Sequence, residues 1–434
     1  MTPTKTSNTY AIIIIGILFF IFGFVTWLNG TLIPFLKMAC QLETDIQAFL
    51  VTSAFYLAYF FLALPSAQIL KKTGFKNGMA LGLLVMAIGS LVFIPAANTR
   101  SFALFLTGLF VQGMGLTLLQ TASNPYISII GPIESAAKRI SIMGICNKGA
   151  GALSPLILSA IVLKNAGALE SKINSTLDMV QKNLLLDELA SRVIAPYIVM
   201  AIILFILAFM IKLSRLPEID VDKEEESADS HATRKESVFQ FPHLMLGVLC
   251  IFLYVGVEVL AGDAIGPFGK AIGMSIDKTK YFTSFTLIAM LVGYIVGVFT
   301  IPKIISQQLA LRISAVLGIL FSICIYFTAG YLSITFIALL GLANALMWPS
   351  IFPLAISGLG KFTKIGSALL IMGIAGAAVL PPLYGALKDK VHLSNSLSFV
   401  ICTLPCYVYI LYYSISGYKA GKTETKLVIT YKTI

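Results

Sequence analysis

The chain alternates long apolar runs with short polar breaks, and the runs set the fold class. Taking about 20 apolar residues per bilayer crossing, runs fall at 10–36, 46–70, 77–97, 101–127, 140–163 and 192–213. A second set falls at 243–266, 280–301, 311–330, 332–353, 364–386 and 394–417. The expectation is an all-α integral membrane protein with twelve transmembrane helices in two six-helix bundles. Alternating strands of the kind a membrane barrel needs are absent, and a helix satisfies its backbone within itself. The first run is too long for a signal-peptide core and lacks a clean small-residue cleavage site, so it reads as a retained helix.

Between the two sets lies 214–240, with the densest acidic cluster of the chain, Asp220-Val-Asp-Lys-Glu-Glu-Glu226. Such a run cannot bury a core and reads as a solvated tether. The domains expected are an N-terminal bundle at 1–213, a linker at 214–240, and a C-terminal bundle at 241–434 with a short tail. The stretch 164–192 is also polar and reads as a loop with room for a short surface helix.

Composition agrees with this class. Hydrophobic residues make up 58% and charged residues 12%, against roughly 45–50% and 25% for soluble domains. Mean hydropathy is +0.90. The net charge of +11 is spread over short loops, without the interleaved basic and aromatic patch that nucleic acid needs. Segments on the side of the termini carry about 19 Lys and Arg and the other segments about 11, which predicts cytoplasmic termini. The six cysteines form no Cys-x-x-Cys pair, and His231, His243 and His392 are scattered, so neither a disulfide framework nor a metal site is expected. No Gly-x-x-x-x-Gly-Lys-[Ser/Thr] loop occurs, which argues against ATP as the energy source.

Away from the ends of the runs, the charged residues are Lys148, Glu258 and Asp263. Ionisable groups in hydrocarbon are costly unless they face a cavity or a partner, so they mark a pathway. Glu258 and Asp263 are five residues apart, about 140° around a helix, and do not form one carboxylate pair. Glu258 is the first choice for cation coupling and Asp263, nearer the helix end, the second. Lys148 is read as an internal ion-pair partner for one of them or as snorkelling toward the surface. The estimated depths of Lys148 and the acids differ by roughly one to two helical turns, which argues against direct pairing.

Uncharged polar residues supply the candidate ligand contacts. Gln120 and Asn124 are one turn apart on one helix face, and Asn29, Asn147 and Asn344 also lie in apolar runs. Amides both donate and accept, which suits vicinal hydroxyls, although they serve equally as interhelical hydrogen bonders. Trp348 stands beside Pro349 and offers a flat apolar face, either for a sugar ring or for packing. The halves echo each other: Ile142-Met-Gly144 precedes Ser154-Pro155, and Ile371-Met-Gly373 precedes Pro381-Pro382. Breaks are expected at Asn124-Pro125 in the fourth span and at Trp348-Pro349 in the tenth. Matching interruptions in two halves are the pattern of a transporter with its site at the repeat interface.

Four stretches carry a family resemblance: Phe20-Ile-Phe-Gly-Phe-Val-Thr-Trp-Leu-Asn-Gly-Thr-Leu-Ile-Pro34, Leu118-Leu-Gln-Thr-Ala-Ser-Asn-Pro-Tyr126, Tyr254-Val-Gly-Val-Glu-Val-Leu-Ala-Gly262 and Met347-Trp-Pro-Ser-Ile-Phe-Pro-Leu-Ala-Ile356. The chain resembles the sugar-transporting branch of the major facilitator superfamily, most closely the fucose–galactose–glucose symporter family and its glucose/galactose transporter type. The resemblance implies alternating access by rocking of the two bundles around a central sugar. Asn29, Asn124 and Asn147 match the family motif. Gly30 and Gln120 stand where fucose permease carries acids, and Lys148 where it has a small polar residue. Leu70-Lys-Lys-Thr-Gly-Phe-Lys-Asn-Gly78 keeps only part of the superfamily's loop motif.

The function expected is import of a hexose or amino sugar of the glucose, galactose or N-acetylglucosamine class across a bacterial inner membrane. Asn29, Gln120, Asn124, Asn147, Asn344 and Trp348 are expected at the sugar. Coupling to H+ or Na+ would run through Glu258 or Asp263, with no other cofactor. The partners expected are sugar and lipid, with no nucleic acid and no obligate protein partner. Rival readings are a facilitative uniporter, a non-sugar carrier on the same fold and a sugar sensor. An enzyme is not expected, for want of a catalytic set.

Overall fold

In hydrocarbon an unpaired backbone N–H or C=O costs several kcal/mol, so an apolar run of bilayer length closes its hydrogen bonds within a helix. The computed structural model describes residues 5–129, 136–214, 216, 236–301 and 304–421, and among them the regular structure is helical throughout. The acidic cluster at 220–226 and the end of the tail lie outside the described residues. Among the described residues, eleven continuous segments are long and apolar enough to cross a membrane. One of these, Asp45–Asn98, is 54 residues long and is the second and third spans in sequence. Its helix Asp45–Leu91 is broken at Gly74, whose φ of 75° and ψ of 170° only glycine adopts without strain. Counting both of its legs, the chain crosses twelve times.

Polar residues fix the ends of these helices. Thr44 and Gln47 form a reciprocal capping box at the start of the second span, and the Ser306 and Ser394 hydroxyls cap the helices Gln307–Phe327 and Asn395–Ile415. The stretch 164–192 folds as two helices, Ala166–Ser175 and Met179–Ser191, rather than as a loop with one.

The breaks inside spans differ from those the sequence predicts. The fourth span runs as one helix, Phe102–Ile129, through Pro125. The fifth, Ala136–Val162, runs through Pro155. There the proline withdraws the N–H that would reach the Gly151 carbonyl, and the Ser154 hydroxyl donates to that oxygen instead at 3.4 Å. In the tenth span the helix Tyr331–Asn344 does stop, but five residues ahead of Pro349, and it resumes as Met347–Ile356. The eleventh is interrupted by a 3-10 turn, Ile374–Ala378, and the first at Trp27 and Leu28, between Lys5–Thr26 and Asn29–Ala39.

Spans one to six pack together, as do seven to twelve, and a seam runs between them where the second span lies along the eleventh and the fifth along the eighth. Large apolar side chains such as Phe60, Phe61, Phe205, Phe209 and Phe299 are exposed around the outside. In lipid these positions are buried, which is why the sequence shows no polar face on its spans.

Candidate functional site

The seam is closed at one end. Call the face that carries the Gly74 turn and the chain start the near face, and the face that carries Thr44 the far face. On the far face, Asp45 is paired with Lys37 of its own half and with Lys388 of the other. Asp389 accepts from the Ile46 backbone N–H at 2.8 Å. Beside them Glu170 pairs with Lys270, and Gly167 N–H donates to Asp277 at 3.2 Å, so the surface helices of 164–192 also span the two halves. Deeper in, the Thr52 hydroxyl donates to Asp263 at 2.7 Å and the Ser53 hydroxyl to the Ala378 carbonyl at 2.7 Å. Ser284 donates to the Ala152 carbonyl at 2.9 Å.

The indole of Trp27 fills the floor of this closure. A Cβ on Gly151 would come within 2.4 Å of the ring, and so would one on Gly262. One glycine belongs to each half, so the ring is wedged between them where only hydrogen leaves room. Lys148 Nζ lies 4.8 Å from the centroid of the same ring, within cation–π range.

Below Trp27 a cavity of about 110 Å³ follows the seam toward the near face. It is lined by Trp27, Tyr56, Tyr59, Lys148, Glu258 and Tyr254, among others. Gln120, Asn124, Asn147, Tyr294 and Trp348 also line it. A narrow extension passes between Ile140, Phe352 and Pro353. Both halves contribute, and the lining mixes aromatic faces with amides.

Four of the six residues expected at the ligand are brought together here: Gln120, Asn124, Asn147 and Trp348. Asn147 Nδ2 also donates to the Phe19 carbonyl at 3.3 Å, and Trp348 stacks on Phe352 with ring centroids 5.5 Å apart. The other two lie elsewhere. Asn29 is buried outside the cavity lining with neither amide atom hydrogen-bonded. Asn344 is fully buried and accepts from the Tyr407 hydroxyl at 2.9 Å, an interhelical bond within the second half.

The charged residues correct the sequence reading. Lys148 and Glu258 form an ion pair across the seam, where 8% and 5% of their surfaces are exposed. The depth estimate had separated them by one to two turns, but a lysine stem is long enough to span about one turn of helix rise. Asp263 turns away from them toward Thr52 and does not line the cavity. Sequence reasoning missed the cavity's tyrosines. A visible signal was Tyr254 one turn before Glu258, the spacing that puts both on one face.

The comparisons agree with this architecture. The profile of the Major Facilitator Superfamily matches residues 15–381. A glucose/galactose transporter of Brucella abortus is 33% identical over 422 residues, covering 96% of this chain and 97% of the relative. The L-fucose-proton symporter of Escherichia coli is 26% identical, covering 86% and 85%. Among solved structures, the transporter FucP in the outward conformation superimposes with a TM-score of 0.74 at 25% identity, over 94% of this chain and 98% of that one. A twelve-span fold, a central cavity on a two-half seam and relatives of matching length lead to one assignment: the chain belongs to the Major Facilitator Superfamily, in its fucose–galactose–glucose symporter family, and is a membrane transporter rather than an enzyme.

Proposed function

We propose that the protein is a secondary active transporter that imports a neutral hexose or N-acetylated amino sugar, coupled to a monovalent cation. The observation that carries this reading is the lining of the seam cavity. Trp27, Trp348 and four tyrosines offer flat apolar faces, and Gln120, Asn124 and Asn147 offer amides. A pyranose presents the same two surfaces, C–H faces and a rim of hydroxyls. Among the described lining residues the charges are Lys148 and Glu258, which cancel each other, so this lining has no net charge to offer a uronate or a sugar phosphate. The Brucella glucose/galactose transporter and the E. coli fucose–proton symporter support the same substrate class.

Transport runs by rocking of residues 1–213 against 241–434, with 214–240 as the tether. The protein sits in the cytoplasmic membrane with both termini inside, in keeping with the excess of Lys and Arg on the near-face segments. It works as a single chain, and the only small molecules it needs are the sugar and the coupling cation. The cation acts at one of the two buried acids of the seventh span, Glu258 or Asp263.

Purified protein in proteoliposomes tests this. Radiolabelled glucose, galactose and N-acetylglucosamine are offered with an imposed pH or Na+ gradient. Saturable uptake driven by a gradient is expected. Uptake that no gradient accelerates removes the coupling and leaves a facilitator. No uptake or exchange of any of the three removes the sugar.

A further inference from the structure

Of the two acids in the seventh span, only one lacks a counter-charge. Glu258 is neutralised by Lys148 inside the cavity. Among the described residues Asp263, 1% exposed, meets no cation: Oδ2 accepts one hydrogen bond from the Thr52 hydroxyl, and Oδ1 has no hydrogen-bond partner. An ionised carboxylate without a paired charge costs several kcal/mol to bury, and a single hydroxyl does not repay that. The contact is also placed where it matters for transport, because Thr52 and Asp263 sit on opposite sides of the seam and touch only while the far face is closed.

We infer that Asp263 is the proton-carrying group of this transporter, and that the far face closes over it only when it holds a proton. The inference rests on the coupled-transport reading above and names its residue. With the far face open, Asp263 Oδ1 takes a proton from hydronium in the external water. The neutral carboxyl then enters the seam and docks on Thr52. Release breaks the same O–H bond toward cavity water. Tyr56, one turn beyond Thr52 on the same helix face and part of the cavity lining, is the side chain between them. Glu258 stays paired and has no need of the proton.

The other charges around Asp263 are satisfied by one another. Lys37 and Lys388 are held by Asp45, Asp389 by the Ile46 N–H, Lys270 by Glu170, and Lys280 by Asp277 and the Leu163 carbonyl. The neighbouring helix Phe282–Thr300 carries no ionisable acid or base other than Tyr294, which lies on the cavity. Because the closed form binds the proton and the open form can lose it, acid favours closure and alkali opening.

The test uses a reporter already in place. Trp27 and Trp348 are the two tryptophans of the chain, so Trp348→Phe leaves Trp27, wedged beside Asp263, as the sole emitter. Without sugar, acrylamide quenching of Trp27 is expected to rise with pH and to lose that dependence in Asp263→Asn, which mimics the protonated state. Thr52→Val weakens docking of the neutral carboxyl, so its transition moves to lower pH; this variant carries the test if Asp263→Asn does not fold. In proteoliposomes with Trp348 restored, Asp263→Asn still exchanges sugar but loses accumulation driven by a pH gradient. A pH response that survives Asp263→Asn, or no response in the parent, overturns the inference. So does a response to Na+ in place of pH, which would make the site a metal-cation site. If the parent transports no sugar while the Trp27 response follows Asp263, the proton latch stands and the sugar reading falls.

Discussion

Lys148 of the fifth span and Glu258 of the seventh are joined in one buried ion pair that bridges the two halves of the protein beneath Trp27. Removing one partner of such a pair leaves an uncompensated charge, at a cost of about 3–5 kcal/mol. Removing both leaves none. Glu258→Gln and Lys148→Met are each expected to lower the thermal unfolding midpoint in detergent, and the double variant by much less than their sum. A double-mutant cycle reads the coupling. Additive losses would mean that the two charges do not meet.

The Trp27 wedge gives a steric prediction. Any Cβ on Gly262 meets the ring at 2.4 Å, and a larger side chain enforces a shift of the whole floor. Gly262→Val is therefore expected to hold the far face open. In the Trp348→Phe background, Trp27 should become quenchable at every pH, and sugar counterflow should stop. Normal counterflow in Gly262→Val would show that the wedge is not part of the closed state.

The amides of the first half predict a binding effect without a stability effect. Gln120 borders the cavity and is half-buried, so Gln120→Ala removes hydrogen bonds to a ligand without opening a core void. One such bond is worth about 0.5–1.5 kcal/mol, so the sugar's Kd by calorimetry is expected to rise up to about tenfold. The unfolding midpoint should hardly move. An unchanged Kd would place the sugar away from this wall.

How much of this was legible in the sequence follows from what each feature depends on. The twelve spans were readable because lipid forces apolar composition on every crossing, and that constraint is local. Gln120 and Asn124 were readable as one face because helix periodicity is local too. The breaks were misjudged where proline alone was the guide: the fourth span runs through Pro125 as one helix, whereas the tenth span stops ahead of Pro349. Asn29 and Asn344 carry the same residue type as Asn124 but point elsewhere, and composition cannot tell a cavity wall from a packing seam. The partner of Asp263, Thr52, lies 211 positions away and has no sequence signal at all. Lys148 did stand out as a charge in an apolar run, but which of the two acids it meets depends on how the halves pack and is not written in the sequence.

The far-face latch yields the remaining prediction. Asp45 holds Lys37 from its own half and Lys388 from the other, so Lys388→Gln cuts the link across the seam while leaving the carboxylate one lysine. The pair is partly exposed, with 12% of the lysine and 17% of the aspartate side chain open to solvent. It therefore contributes on the order of 1 kcal/mol, toward the upper end for surface pairs. That is small for folding but enough to shift a two-state balance between open and closed forms several-fold. A reporter is available one layer below: Ser53, half-buried, donates to the Ala378 carbonyl of the other half, so a cysteine at this position is shielded only while the latch holds. Alkylation of Ser53→Cys by a membrane-impermeant reagent should speed up several-fold when Lys388→Gln is added. Raising the salt concentration should have a weaker effect in the same direction, because a partly exposed pair is partly screened. Asp45→Asn, which releases both lysines, should exceed Lys388→Gln. If neither variant changes the alkylation rate, the ionic contacts decorate the closed face without holding it, and closure rests on the Thr52–Asp263 contact and the Trp27 wedge alone.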